Sequence, residues 1–227
     1  MEKQLKNIEH SDEELETLEQ EVKRRLDECE KLAGKLTTSR RKAIKTVEAQ
    51  MSSRLVPLGI PNVRFKVELT AKPLSTDGAD KVQFLFSANT STRMESVAQV
   101  ASGGEIARVM LSLKAMVSGA VKLPTIIFDE IDTGVSGKIA QKMALIMQEM
   151  GNNNRQVISI THLPQIAALG SSHYKVEKEE TPEGTRSRMR ELTEEQRVAE
   201  IAQMLSGADI SDAALQNARD LLGLGRK

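Results

Sequence analysis

Only one cysteine, Cys29, occurs in the 227 residues, which excludes an internal disulfide and any cysteine-based zinc site and fits a reducing cytoplasm. Aromatic residues are nearly as scarce, at 2% with no Trp and one Tyr, and that disfavours a base-stacking platform for single-stranded nucleic acid. There is no excess charge of either sign. Lys+Arg 32 balance Asp+Glu 32, so whole-chain electrostatics lends no support to nucleic-acid binding, and any such contact must come from local patches. No apolar run is long enough to span a bilayer, and the charged opening MEKQLKNIEH is unlike a signal peptide. These absences predict a soluble, cytoplasmic chain with no membrane partner. Its 39% hydrophobic content is enough for the core of one domain with an appendage.

The appendage is written at the start of the chain. Leu15, Leu18, Val22, Cys29, Leu32 and Leu36 follow a 3,4 spacing, with Arg25 at the one polar seam position, as in a coiled coil. The stripe restarts at Ile44, Val47, Met51 and Leu55 after two steps of four, the signature of a stutter, and the helix is predicted to stop near Pro57. A helix this long and polar cannot be held by packing on one globule along its whole length, so a partner helix is expected. The expected division is an arm over residues 1–56 and a globular lobe over 57–227.

Beyond Pro61 the period changes to two. Val63, Phe65, Val67 and Leu69, and then Val82, Phe84 and Phe86, predict two strands joined by a long polar loop from Pro73 to Asp80. After a polar linker from Asn89 to Ser96, Ile106, Val109, Met110, Leu113 and Val117 recur at helical spacing behind Ser102, Gly103 and Gly104. TIIFDEID and VISITH read as buried strands separated by a helix over 137–150, and a short helical piece, a hairpin and two helices close the chain. The alternation of strands with helices predicts an α/β fold with parallel strands.

Three segments carry candidate chemistry. Ser102-Gly103-Gly104-Glu105 opens a helix, where unsatisfied N–H groups make an anion site; the same residues also satisfy a capping box following a glycine turn. Asp129 and Glu130 end a strand at the edge where parallel sheets bind ligands. Adjacent strand residues point to opposite faces, so one carboxylate can hold Mg²⁺ through water while the other turns to an attacking water. The alternative for the pair is an acidic helix N-cap. His162 ends the next strand, and a lone histidine there is as readily structural as functional.

The order ASGGE, IIFDEID, ITH, at these separations, resembles the signature motif, Walker B strand and switch histidine of ABC-type ATPase heads. Within that group ASGGEIARVMLSLKA, FDEIDTGVSG and THLPQIAALGSSHYKVEK resemble the SMC-like RecN family of bacterial DNA-repair ATPases, over essentially the whole chain. The resemblance implies the C-terminal lobe of an ABC/SMC-type P-loop ATPase head with a coiled-coil helix. It implies ATP and Mg²⁺ as cofactors, held between two heads of a homodimer, and DNA as the partner whose binding hydrolysis controls in recombinational repair of double-strand breaks, in association with the nucleoid. By the same resemblance Ser102, Gly103, Gly104 and Glu105 meet ATP on the opposing head, and Asp129 orders Mg²⁺ through water. Glu130 is then the catalytic base, His162 touches the γ-phosphate, and Asp132, counted with the nucleotide-contacting residues, opens the D-loop over Asp132 to Ser136 at the dimer seam. Ala101 and Glu105 replace the Leu and Gln of transporter heads, and Ser136 stands where many D-loops have Asp. No G-x-x-x-x-G-K-[ST] occurs, since Gly137-Lys138 is followed by Ile139. The phosphate-cradling loop is therefore expected on an N-terminal lobe, with this chain beginning inside the returning arm and inactive alone. A complete regulator or split subunit borrowing a P-loop from another chain, and a transporter ATPase subunit, are the alternatives, the latter disfavoured by the arm.

Overall fold

The computed structural model describes residues 2–99, 103–121, 123–152, 155–181, 184–207 and 209–224. Helix α1 runs unbroken over Glu2–Leu55, through the stutter, and ends two residues before Pro57. The hydrophobic stripe divides along its length. Leu15, Leu18, Val22 and Leu32 are exposed, whereas Met51 and Leu55 are fully enclosed.

The enclosed half of α1 lies on an antiparallel hairpin, β1 (Arg64–Ser75) and β2 (Gly78–Ser87), extended by the two-residue β3 (Glu95–Ser96). The predicted long loop from Pro73 to Asp80 is instead a tight turn between Ser75 and Gly78, with a register shift between Ala71 and Ser75 that absorbs Pro73. The arm holds this turn in place. Arg40 donates to the Asp77 carbonyl at 2.7 Å and to Asp80 at 3.0 Å, Thr37 donates to Asp80 at 2.8 Å, and Glu48 accepts from the Val67 N–H at 2.9 Å. The linker from Asn89 likewise ends in a strand, because Ser96 pairs with Leu85.

Helix α2 (Gly103–Ala120) is wedged between two cores. Its Val109 joins Met51, Leu55, Ile60, Phe65 and Phe86, while Ala107 and Leu111, on the other side, join Leu58, Phe128 and the buried methionines of α3 (Gly137–Asn152). Apolar residues three and four apart on one helix bury both flanks, which accounts for the nearly continuous run from Ile106 to Leu113. Strands β4 (Thr125–Asp129) and β5 (Gln156–Ile160) pair in parallel, Ile126 beside Val157 and Asp129 beside Ile160. They are connected through α3, the kind of crossover that parallel neighbours need. Both were expected to be buried strands, but only one face of the pair is covered. Ile126 and Phe128 are buried, whereas Ile127, Ile158 and Ile160 are 55%, 39% and 54% exposed, since nothing among the described residues packs on that side.

The remainder is α4 (Pro164–Leu169), the hairpin β6 (Tyr174–Thr181) and β7 (Gly184–Glu191), α5 (Glu194–Ser206) and α6 (Asp212–Leu221). Helices α4, α5 and α6 enclose a third cluster around Ile201 and Ala202. Helix α5 starts with a full capping box, Thr193 and Gln196 exchanging side-chain and backbone bonds. No described helix is long and apolar enough to cross a membrane.

Candidate functional site

The C-terminal edge of the β4–β5 pair collects most of the residues singled out from sequence. Because Asp129 is in register with Ile160, the two strands end together, and the loops that carry Glu130 to Ser136 and Thr161 to Leu163 leave side by side. Asp129 is exposed on the open face shared with Ile127. Glu130 no longer belongs to the strand. Its φ is 49°, left-handed, so the expectation that it opposes Asp129 by strand alternation does not hold. Its carbonyl turns inward to accept from Thr133, from Oγ1 at 3.0 Å and from the N–H at 3.4 Å, and its carboxylate is left exposed. A positive φ at a non-glycine member of an acidic pair is a strained arrangement of the kind found where a site aims a side chain.

Ser102 and Ala101 lie outside the described residues, so the helix start is seen from Gly103. Gly103 is exposed, Glu105 half-buried and Gly104 buried. A β-carbon on Gly104 would lie 3.0 Å from the Gly134 carbonyl oxygen and 3.3 Å from that of Thr133, whereas one on Gly103 would meet nothing within 4 Å. Two glycines adjacent in sequence thus have different roles: Gly104 allows helix start and loop backbones to touch, and Gly103 leaves an amide open to solvent. Arg108 braces the same turn, donating to the Gly104 carbonyl at 2.8 Å and to the Leu58 carbonyl at 2.9 Å.

Asp132, grouped with the nucleotide-contacting residues from sequence, is fully enclosed and engaged within the chain. Its Oδ2 accepts from the Thr161 hydroxyl and from the His162 N–H at 3.2 Å, and His162 Nδ1 is 3.3 Å from the same oxygen. The His162 ring itself is 70% exposed. Gly103, Gly104, Asp129, Glu130, Asp132 and His162 therefore occupy one region, in which the loop over 130–136 is the common neighbour. Sequence reading missed Thr161, whose hydroxyl joins that loop to the histidine, and Arg108; a polar residue between a buried strand and a histidine was the available signal for the first. Among the described residues no group of three or more His, Cys, Asp or Glu side chains is placed to hold a metal ion.

Comparison with known proteins agrees with this geometry. The architecture matches a chain of the structure described as "Structural biochemistry of ATP-driven dimerization and DNA stimulated activation of SMC ATPases", with a TM-score of 0.52 at 16% identity over 76% of this chain and 99% of that one. It also matches the Smc head domain with a coiled coil and joint from Pyrococcus yayanosii, with a TM-score of 0.56 at 19% identity over 71% of this chain and 29% of that one. The fold is thus that of the C-terminal lobe of an SMC/ABC-type ATPase head bearing a coiled-coil helix.

No protein-family model matches the chain. Its sequence relatives are specific nonetheless. The protein named DNA repair protein RecN of Halalkalibacterium halodurans is 34% identical over 99% of this chain and 40% of its own length. That of Haemophilus influenzae is 33% identical over 92% and 38%, and that of Bacillus subtilis 42% identical over 66% and 26%. The chain is a homologue of the RecN repair proteins, and it spans about 40% of the length of the first of them.

Proposed function

We propose that the chain forms one face of a composite ATP site in a RecN-type repair ATPase, in which ATP held between two heads is hydrolysed to control binding to broken DNA. The observation that supports this most is the single edge where the α2 start, the Asp129–Glu130 pair and His162 meet around one loop. In this reading the open amide of Gly103, with Ser102, receives the γ-phosphate of ATP held on the partner head, as a helix start favours anions. Asp129 and Glu130 are exposed at the strand end, and Mg²⁺ bound with phosphate needs only one or two protein carboxylates. Asp129 would hold it through water, and the ion would neutralise phosphate charge. Glu130 orients the attacking water and accepts its proton; His162 faces the γ-phosphate.

A P-loop lobe must complete the site, because no such loop occurs in these residues. The exposed apolar face of Ile127, Ile158 and Ile160 is the surface such a lobe would cover. Two readouts test the proposal. The 227-residue chain alone is expected to show no measurable ATP turnover. In the full-length protein Glu130→Gln should bind ATP and close the heads while turnover falls about 10²–10⁴-fold, the usual contribution of a general base. Hydrolysis by that variant at the parental rate would remove Glu130 from the catalytic step.

A further inference from the structure

We propose that Asp132 is a positioning residue for His162, fixing the ring through Nδ1 so that Nε2 alone faces outward. The inference rests on the reading of His162 as the phosphate-facing residue, but its geometric content stands apart from it. Asp132 is 0% exposed, and every hydrogen bond the structure gives its carboxylate goes to Oδ2 and comes from residues 161 and 162. Oδ1 is buried and has no hydrogen-bond partner among the described residues. A carboxylate taken out of water is ordinarily surrounded by donors on both oxygens. Here the donors converge on the His162 loop, so its service to that loop is the feature that accounts for its placement.

The chemistry then follows from donor counting. His162 Nδ1 lies 3.3 Å from Oδ2, and because a carboxylate only accepts, a hydrogen bond between the two requires the hydrogen on Nδ1. The proposed contact therefore selects the Nδ1–H tautomer of neutral His162, the reverse of the Nε2–H form that an unconstrained imidazole prefers. Nε2 then keeps its lone pair free to accept a hydrogen bond from a group outside the chain. Thr161 completes the brace, since its hydroxyl donates to Asp132 and accepts from the Leu163 N–H at 3.0 Å. Asp132 also belongs to the turn whose Gly134 carbonyl lies against Gly104, so the α2 start and the histidine share one support.

The test is ¹⁵N NMR of histidine-labelled chain, with His162 assigned by His162→Gln. The parent is expected to show His162 as the neutral Nδ1–H tautomer, and Asp132→Ala to shift it toward Nε2–H. Thr161→Val, which keeps the carboxylate, should leave the tautomer as in the parent. An Nε2–H tautomer in the parent, or a folded Asp132→Ala chain with the parental tautomer, overturns the proposal. The parental spectrum decides even if Asp132→Ala does not fold. In the full-length ATPase, Asp132→Ala should lower kcat about tenfold in the parental background and change it little in a His162→Ala background, a coupling of the size contacting residues show. Equal losses in both backgrounds would overturn the positioning role. A full-length protein without any turnover would count against the proposed function while the NMR result still decides the Asp132–His162 pair.

Discussion

Replacing each of the two glycines at the start of α2 by alanine separates a packing role from an exposed one. At Gly104 the new methyl would meet two backbone carbonyl oxygens, at 3.0 Å and 3.3 Å, and neither belongs to a flexible side chain that can swing away. The loop over Thr133–Gly134 must shift by a few tenths of an ångström, and overpacking of this kind costs about 1–3 kcal/mol. Against that, alanine in a helix recovers about 0.5–1 kcal/mol relative to glycine, so a net loss of about 0.5–2 kcal/mol remains. Gly103→Ala has no clash and should keep the whole gain, about 0.5–1 kcal/mol. The two variants should therefore differ by about 1–3 kcal/mol, in spite of identical chemistry at adjacent positions. Urea unfolding followed by circular dichroism reads this directly, because the arm's contribution is common to both. With a slope of about 2 kcal/mol per molar, the midpoints should lie about 0.5–1.5 M apart, Gly104→Ala lower. Coincident midpoints would show that the helix start and the loop do not touch as described. In the full-length protein Gly104→Ala should also perturb His162, since the displaced loop carries Asp132.

Glu130→Gly should raise the stability of the isolated chain by about 1 kcal/mol, by relieving the left-handed φ of 49°, and an unchanged or lower midpoint would argue against strain there. The arm should loosen in acid. Hydrogen bonding by Thr37, and then Arg40, holds the Asp80 carboxyl below its ordinary range, and bonds from Lys72 and Ser75 bring Asp77 from 3.8 to about 2. Carboxylates with a lowered folded pKa contribute fully above the unfolded value and lose that contribution as pH falls through the folded one, so the Asp80 contacts with the arm weaken as pH falls below the ordinary carboxylate range, while the hairpin's own Asp77 contacts with Lys72 and Ser75 fade toward about 2. Amides near Thr37 and Arg40 should lose hydrogen-exchange protection there ahead of α2, and Asp80→Asn should weaken that pH dependence. The exposed stripe of Leu15, Leu18, Val22 and Leu32 should pair two copies of the chain at high concentration, each buried side chain contributing about 1.5–3 kcal/mol before entropy. Leu18→Glu with Leu32→Glu should return the chain to monomer in sedimentation, and a dimer that survives both changes places the contact elsewhere.

The amino-acid sequence by itself determined the elements whose signal is local. The 3,4 stripe from Leu15, the alternation from Val63 to Leu69, and the apolar runs that end at Asp129 and Thr161 all correspond to observed elements, because periodicity is a property of neighbours along the chain. Motif order was equally legible, since it needs only sequence distance. What tertiary structure decided were the relations between segments. Strands β1 and β2 continue almost to their turn because Thr37 and Arg40, about forty residues away, bind Asp80 and the Asp77 carbonyl. The single stripe of α1 is exposed in one half and enclosed in the other because only the second half meets the hairpin and α2. Glu130 leaves the strand pattern, Gly104 separates from Gly103, and Asp132 is enclosed against the His162 loop for the same reason. Each depends on which backbone lies opposite in space, and local pattern carries no record of that.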